Sequence, residues 1–163
     1  MAIRTRVGQG FDIHRFVDGP SDRVLVLGGV KFPNEKPLAG HSDADVIAHA
    51  AADALLGAAS LGDIGMHFPD TDPQWAGANS LTLLAHVAKI VREAGFEIGN
   101  VDCSIVCEKP KIAPHREEMQ KLLSDAAGAT ITVKGRRAEG LGALGREEGI
   151  ACWAVAVIER TQA

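Results

Sequence analysis

An α+β fold, with helices laid over one face of a β-sheet, is expected from three features of this chain. Five stretches carry strand-like patterning, at 3–13, 23–33, 97–107, 130–135 and 149–159, and three carry helical patterning, at 44–59, 80–94 and 113–127. The last strand-like stretch, Ile150 to Ile158, is apolar on both alternating sets of positions, which implies burial on both sides. Three helices suffice to cover one face of such a sheet, so the other face is expected to be buried by another subunit.

Residues 3–13 and 23–33 flank the turn-rich segment Val17 to Asp22 and read as an antiparallel hairpin with a long loop. After Gly40-His41-Ser42-Asp43 the small apolar residues from Ala44 to Ala59 predict a helix capped by Ser42 or Asp43. Gly62 to Gly77 reads as an ordered loop. The helix at 80–94 buries Leu84, Val87, Ala88 and Val91 and stops at Gly95. Pro114 suits the first turn of the helix at 113–127, which Gly128 ends.

The 163 residues are 46% hydrophobic and 23% charged, as expected of one ordinary domain spanning 1–163. A net charge of -4 leaves no broad basic face for a nucleic-acid backbone, so a phosphate ligand is expected to be small. The first residues lack the apolar core of a secretory signal, and Ile47 to Leu61 is too short and polar to span a bilayer. A cytoplasmic protein is therefore expected, with neither nucleic acid nor membrane as partner. Cys103, Cys107 and Cys152 cannot all pair and sit in core-like surroundings, so burial is their expected role; half of a metal site at Cys103 and Cys107 is the alternative.

Asp12 and His14 lie two apart on a strand, so both leave the same face and can share a cation. His49 is the best candidate for a third ligand, with Asp45 or Asp53 four residues away to orient its ring. Two histidines and a carboxylate suit zinc and leave one position open. The plainer alternative is a surface Asp–His pair, with His49 a hydrogen-bonded core residue. His41-Ser42 precedes a helix whose free N–H groups favour an anion, although Ser42 as a simple cap is the competing role. Gly140-Leu141-Gly142-Ala143-Leu144-Gly145 matches a dinucleotide fingerprint literally, but a strand rather than a helix follows it, so a tight loop is the better reading.

The blocks Gly8-Gln9-Gly10-Phe11-Asp12-Ile13-His14, Ala39 to His49, Gly62-Asp63-Ile64-Gly65 and Phe68-Pro69-Asp70-Thr71-Asp72 resemble the signatures of the methylerythritol cyclodiphosphate synthases. Glu108 to His115, Glu139, Leu141-Gly142 and Gly145 to Ala151 extend the resemblance over nearly the whole chain. It implies a two-layer α+β fold: a mixed β-sheet with helices packed on one face, assembled as a homotrimer around the sheets with each active site between neighbours. The activity it implies is closure of 4-diphosphocytidyl-2-C-methyl-D-erythritol 2-phosphate to 2-C-methyl-D-erythritol 2,4-cyclodiphosphate with release of CMP, in the non-mevalonate isoprenoid pathway. That makes the expected enzyme a metal-dependent phosphorus–oxygen lyase acting on a small cytidine diphosphate substrate.

Residue by residue, the resemblance implies that Asp12, His14 and His49 hold zinc and that Glu139 holds magnesium, with manganese able to replace it. His41 is the implied catalytic residue, contacting the phosphates together with Ser42. Asp63, Ile64 and Gly65 are implied to meet the sugar moieties and Phe68, Pro69, Asp70, Thr71 and Asp72 to line the methylerythritol pocket. Cys107, Glu108, Lys109, Pro110, Lys111, Ile112 and Ala113 are implied to cradle cytosine, and Ile13 and Arg146 complete the implied contacts. One stretch departs: where the family carries threonines before the Leu-Gly, this chain has Arg136-Arg137. Guanidinium groups can bind phosphate bidentately or turn outward. The competing functions are a non-catalytic trimer that binds metal and an isoprenoid or other diphosphate, and a zinc hydrolase using Asp43 or Asp45 as base.

Overall fold

The computed structural model describes residues 3–161. Met1 and Ala2, part of the stretch read for a secretory signal, lie outside the described residues. The main sheet runs in the order β1 (Ile3–Arg15), β6 (Gly149–Thr161), β4 (Glu97–Val106), β5 (Thr130–Arg136). β6 is antiparallel to β1 and to β4, whereas β4 and β5 are parallel, so the sheet is mixed. A parallel pair needs a crossover, and α4 (Arg116–Ala127) supplies it. Pro114 lies in the single 3-10 turn Ala113–His115 that leads into α4.

Helix α1 (Val46–Ala59) lies over β1 and β6, with α3 (Ser80–Glu93) against α1 and α4. Twelve of the fourteen α1 residues are buried, which is why its sequence is small and apolar on every side. The approach to the sheet is limited chiefly by backbone atoms. A Cβ on Gly8 would stand 2.1 Å from the Ala54 carbonyl oxygen, and one on Gly10 would stand 2.0 Å from that of Ala50. Glycine on the strand and alanine on the helix therefore set the interlayer distance. Val101, Cys103, Ile105, Ile131, Val133, Ile150, Cys152, Ala154, Ala156 and Ile158 fill the rest of this buried face.

Three expectations are corrected. Residues 23–33 do not pair with β1; they fold on themselves as β2 (Leu25–Leu27) and β3 (Val30–Phe32), because Gly28 and Gly29 adopt φ of +58° and +79° and close a two-residue turn. The α1 cap is Asp45, not Ser42 or Asp43: its carboxylate accepts Ile47 N–H and Ala48 N–H as well as those of Gly28 and Gly29. The loop at 62–77 contains a one-turn helix, α2 (Ile64–His67), and a 3-10 turn at Pro73–Trp75.

The second face of the sheet is open in the isolated chain. Val7, Phe11, Ile13, Trp153 and Val155 are 42–65% exposed, with the Phe11 and Trp153 rings 5.0 Å apart. The double-sided apolar pattern of β6 thus faces helices on one side and an uncovered apolar patch on the other.

Candidate metal and active site

Asp12 and His14 leave the helix-facing side of β1, one strand pair beyond Gly10, and His49 descends onto them from the first turn of α1. Asp12 Oδ2 lies 3.1 Å from His14 Nε2 and 3.0 Å from His49 Nδ1. One donor atom from each residue falls within 4.8 Å of the others, so a single ion can be shared by all three. Burial pushes the Asp12 carboxyl up, but the His14 and His49 imidazoles beside it outweigh that and hold it at about 2. Burial lowers His14, while the Asp12 carboxylate and the Ala39 carbonyl raise it above its ordinary value in balance. His14 Nδ1 donates to the Ala39 carbonyl at 2.8 Å, leaving Nε2 turned toward Asp12. The donor set, two imidazoles and a carboxylate with the far side of one ring already tied to backbone, fits a divalent cation.

His49 is not oriented by Asp45 or Asp53. Asp45 is spent on the cap, and Asp53 accepts the Ile64 N–H at 3.0 Å. The outer ring nitrogen, His49 Nε2, instead meets Ser80 Oγ at 2.7 Å and Ser42 Oγ at 3.1 Å. Ser80 was missed from sequence, although it lies in phase with the apolar stripe Leu84, Val87 and Val91, and a hydroxyl on a buried stripe is itself a signal.

A cavity of about 320 Å³ opens beside the triad. It is lined by Asp12, His14, His41, Ser42, His49, Ile64, Gly65, Phe68 and Asp70 among the expected residues, and by Gly40, Trp75 and Leu83 in addition. His41 Nε2 donates to the Asp72 carbonyl at 3.0 Å and so ties this wall to the following loop. Phe68 is wedged between Trp75 and His86, at 4.9 and 5.6 Å between ring centroids. Arg23, also missed, braces the wall by donating to the Leu38 and Ser42 carbonyls. Asp63 and Asp72 cap the short helical turns that shape the loop, and Pro69, Thr71 and Asp72 stand beside the lining rather than in it. At the α1 N-terminus, Asp45 already takes the Ile47 and Ala48 N–H groups, so these two are not open to an anion.

Cys107 to Ala113 line a second cavity of about 340 Å³, together with Arg116, Gly135, Arg136 and Arg137. Glu108 braces its wall: Oε1 accepts the Ala138 N–H at 2.7 Å and Oε2 lies 3.8 Å from Arg137 Nε. Burial pushes the Cys107 thiol up to about 12, and its S–H points to the Pro110 carbonyl; among the described residues the cluster able to share a metal is Asp12, His14 and His49, and neither Cys103 nor Cys107 belongs to it. Glu139 is exposed on the next loop with φ of +55° and lines neither cavity. Arg146 pairs with Glu148 at 2.7 Å and borders a third cavity with Phe16 and Lys36. The Ile13 side chain leaves the open face of the sheet, away from His14, as strand alternation requires. Apart from Ile13, Glu139 and Arg146, the expected site residues therefore fall into two separate groups, one at the β1 edge and one at the β5 edge, both at the same end of the sheet.

A fold and a site of this composition match one class of protein. Residues 5–159 match the model of the YgbB family, and the chain belongs to that family. Among curated relatives, the 2-C-methyl-D-erythritol 2,4-cyclodiphosphate synthase of Geobacillus thermodenitrificans is 51% identical over 161 residues, covering 97% of this chain and 99% of the relative. The enzyme of the same name from Bacillus cereus is 52% identical over 158 residues, covering 95% and 98%. Among solved structures, IspF of Plasmodium falciparum in complex with CDP aligns with a TM-score of 0.83 at 34% identity, over 97% of both chains. The bifunctional IspDF of Campylobacter jejuni aligns with a TM-score of 0.91 at 38% identity, over 99% of this chain and 44% of that one.

Proposed function

We propose that this chain is a cyclodiphosphate synthase that closes 4-diphosphocytidyl-2-C-methyl-D-erythritol 2-phosphate to 2-C-methyl-D-erythritol 2,4-cyclodiphosphate and releases CMP. The observation that carries the reading is the meeting of Asp12, His14 and His49 at the mouth of the cavity bearing His41 and Ser42, in a chain of this family. In reaction class it is a phosphorus–oxygen lyase of the non-mevalonate isoprenoid pathway, working in the cytoplasm. Among the described residues no helix is long and apolar enough to cross a membrane.

The substrate's 2-phosphate oxygen attacks the β-phosphorus, a new P–O bond forms, and the bond to the α-phosphate oxygen breaks with its electron pair leaving on CMP. The nucleophile is already anionic, so no strong general base is needed. Asp12, His14 and His49 would hold zinc and Glu139 would hold magnesium or manganese, and these cations would supply charge stabilisation on the diphosphate. His41 and Ser42 direct polar side chains at the phosphates, and Ile64, Gly65, Phe68 and Asp70 enclose the methylerythritol part. Folding the substrate so that its two phosphates meet is the larger share of the work, since an oriented intramolecular attack is favoured by many orders of magnitude over an untethered one. Cys107 to Ala113 receive cytosine through backbone groups, and Arg136 and Arg137 stand where the family's threonines reach the phosphates. Asp43 and Asp45 are unavailable as hydrolytic bases: Asp43 is bonded to Ser80 and Asp45 is fully buried.

A homotrimer completes this reading. The apolar patch around Phe11 and Trp153 needs a cover, and the two cavities at opposite sheet edges need a neighbour to bring a metal half against a nucleotide half. Incubating the purified protein with the cytidyl substrate and a divalent metal tests the function. Cyclic diphosphate with stoichiometric CMP is the expected result; linear phosphates would indicate hydrolysis, and recovery of unchanged but bound substrate would indicate a binding protein.

A further inference from the structure

Ser80 is 1% exposed and carries its hydroxyl on the buried stripe of α3. A hydroxyl has one proton to give, and Asp43 receives it: one carboxylate oxygen accepts the Ser80 O–H and the other accepts the Ser80 N–H at 3.0 Å. With that proton spent, Ser80 Oγ can only accept from its other neighbour, His49 Nε2, at 2.7 Å. His49 must then carry its proton on Nε2. Ser42 Oγ, 3.1 Å from the same nitrogen, could reverse this only by donating there, against the shorter Ser80 bond. The remaining ring nitrogen, Nδ1, presents a lone pair 3.0 Å from Asp12 Oδ2. Two acceptors that close are spaced to be adjacent ligands of one cation.

Resting on the metal reading of the triad proposed above, we infer that Asp43 and Ser80 are a positioning pair that locks His49 in the Nε2–H tautomer and turns Nδ1 to the metal. Hydrogen bonding runs in one direction, from His49 to Ser80 to Asp43. Asp43 is itself held in place, since its N–H donates to the Ala78 carbonyl at 3.0 Å and its carboxylate accepts the Asp45 N–H at 3.2 Å. The loop before α1 and the start of α3 therefore jointly aim a ligand that belongs to neither.

The test measures Co²⁺ affinity by chelator competition, together with imidazole ¹⁵N spectra of the Zn²⁺-loaded protein. Ser80→Ala removes the acceptor. Asp43→Asn keeps its shape but offers an N–H₂ where Ser80 needs an acceptor, so the serine proton is turned back toward His49. Both are expected to weaken Co²⁺ binding about 10- to 100-fold, as loss of an outer hydrogen-bond partner of a ligand histidine does, and to lose the single Nε2–H signal of His49. Ser80→Thr keeps the hydroxyl and should retain parent affinity and the parent spectrum, which a merely structural role for Ser80 would not require. If Ser80→Ala fails to fold, Asp43→Asn decides alone. Parent-like affinity and tautomer in Asp43→Asn would overturn the pair while leaving the metal site standing; a parent protein that holds no Co²⁺ would overturn the metal reading, and the pair with it.

Discussion

Gly10 lies so close beneath Ala50 that any side chain at position 10 would collide with the Ala50 carbonyl oxygen, 2.0 Å from where its Cβ would stand. Ala50 follows His49, and Gly10 precedes Asp12 by two residues on the same strand face, so this contact sets the distance at which two metal ligands meet. Gly10→Ala should lift the start of α1 from β1. The overpacking is expected to destabilise the protein by about 1–3 kcal/mol and to weaken metal binding, although position 10 is no ligand. Urea unfolding and chelator competition check the two effects separately.

Removing a ligand should act more sharply. His49→Ala leaves two ligands, and both bound zinc and turnover should be lost while the fold persists. Asp12→Asn should behave likewise, since an amide is a poor substitute for a carboxylate. Metal content of the purified variants provides the measurement; full zinc occupancy in either would remove the triad from the assignment.

The triad also fixes a pH response that reverses between the metal-free and metal-loaded protein. Asp12 sits at about 2, below its ordinary 3.8, so its stabilisation is complete above the ordinary value and lost as pH falls toward 2. That limb is worth about 2 kcal/mol. His14 is raised above 6.5, so its contribution is full below 6.5 and lost as pH rises through the raised value. Metal-free protein should therefore gain most from this pair between those limits. Metal affinity should run the other way at the upper limit, rising as the His14 proton leaves. Unfolding curves with and without Co²⁺ across this range should show the two trends crossing.

Arg136 and Arg137 mark the departure from the family's threonines. If they meet a diphosphate oxygen, each supplies a charge-assisted bond worth about 1.5–3 kcal/mol, and the alanine variants should lose roughly ten- to a hundredfold in kcat/KM. Arg137 Nε is 3.8 Å from Glu108, a carboxylate near enough to steady it at the rim of the second cavity. Parent-like kinetics in both variants would assign the pair to solvent, and a gain in Arg137→Thr would show that the native side chain obstructs the pocket.

The open face of the sheet gives the assembly prediction. Trp153, packed on Phe11 at the centre of the apolar patch, should be intolerant of charge where copies meet. Sedimentation should give a trimer for the parent and monomers for Trp153→Glu, with activity lost in the monomer. A monomeric parent at micromolar concentration would remove both the trimer and the shared site.

Much of this arrangement was legible from local pattern. The Asp-x-His pair on β1 and the third ligand on α1 were found because strand alternation and a helix start are short-range rules. What escaped was tertiary. Gly28-Gly29 is a strong tight-turn signal, yet the longer turn-rich segment at 17–22 suggested a hairpin with β1, whose true partner lies at the other end of the chain. Asp45 outcompeted Ser42 and Asp43 as cap because it also satisfies two N–H groups of that distant turn, which no helix-start rule weighs. Removing it should therefore release two elements at once: Asp45→Ala is expected to cost about 2–3 kcal/mol, with four N–H groups left to find new partners. The apolar β6 was read as buried on both sides, and a single chain buries only one.

The placement of the two cavities has a genetic consequence. They lie at opposite edges of a four-stranded sheet, whose outer strands are about 14 Å apart at ordinary strand spacing, yet at the same end. In a ring of copies, a chain ruined at one edge remains sound at the other. A His49→Ala chain and a Lys111→Glu chain, each inactive alone, should then restore one another when unfolded and reassembled together. Random mixing in equal amounts would rebuild roughly a quarter of the sites from two sound halves. Two defective alleles of this one gene would thus complement in the same cell.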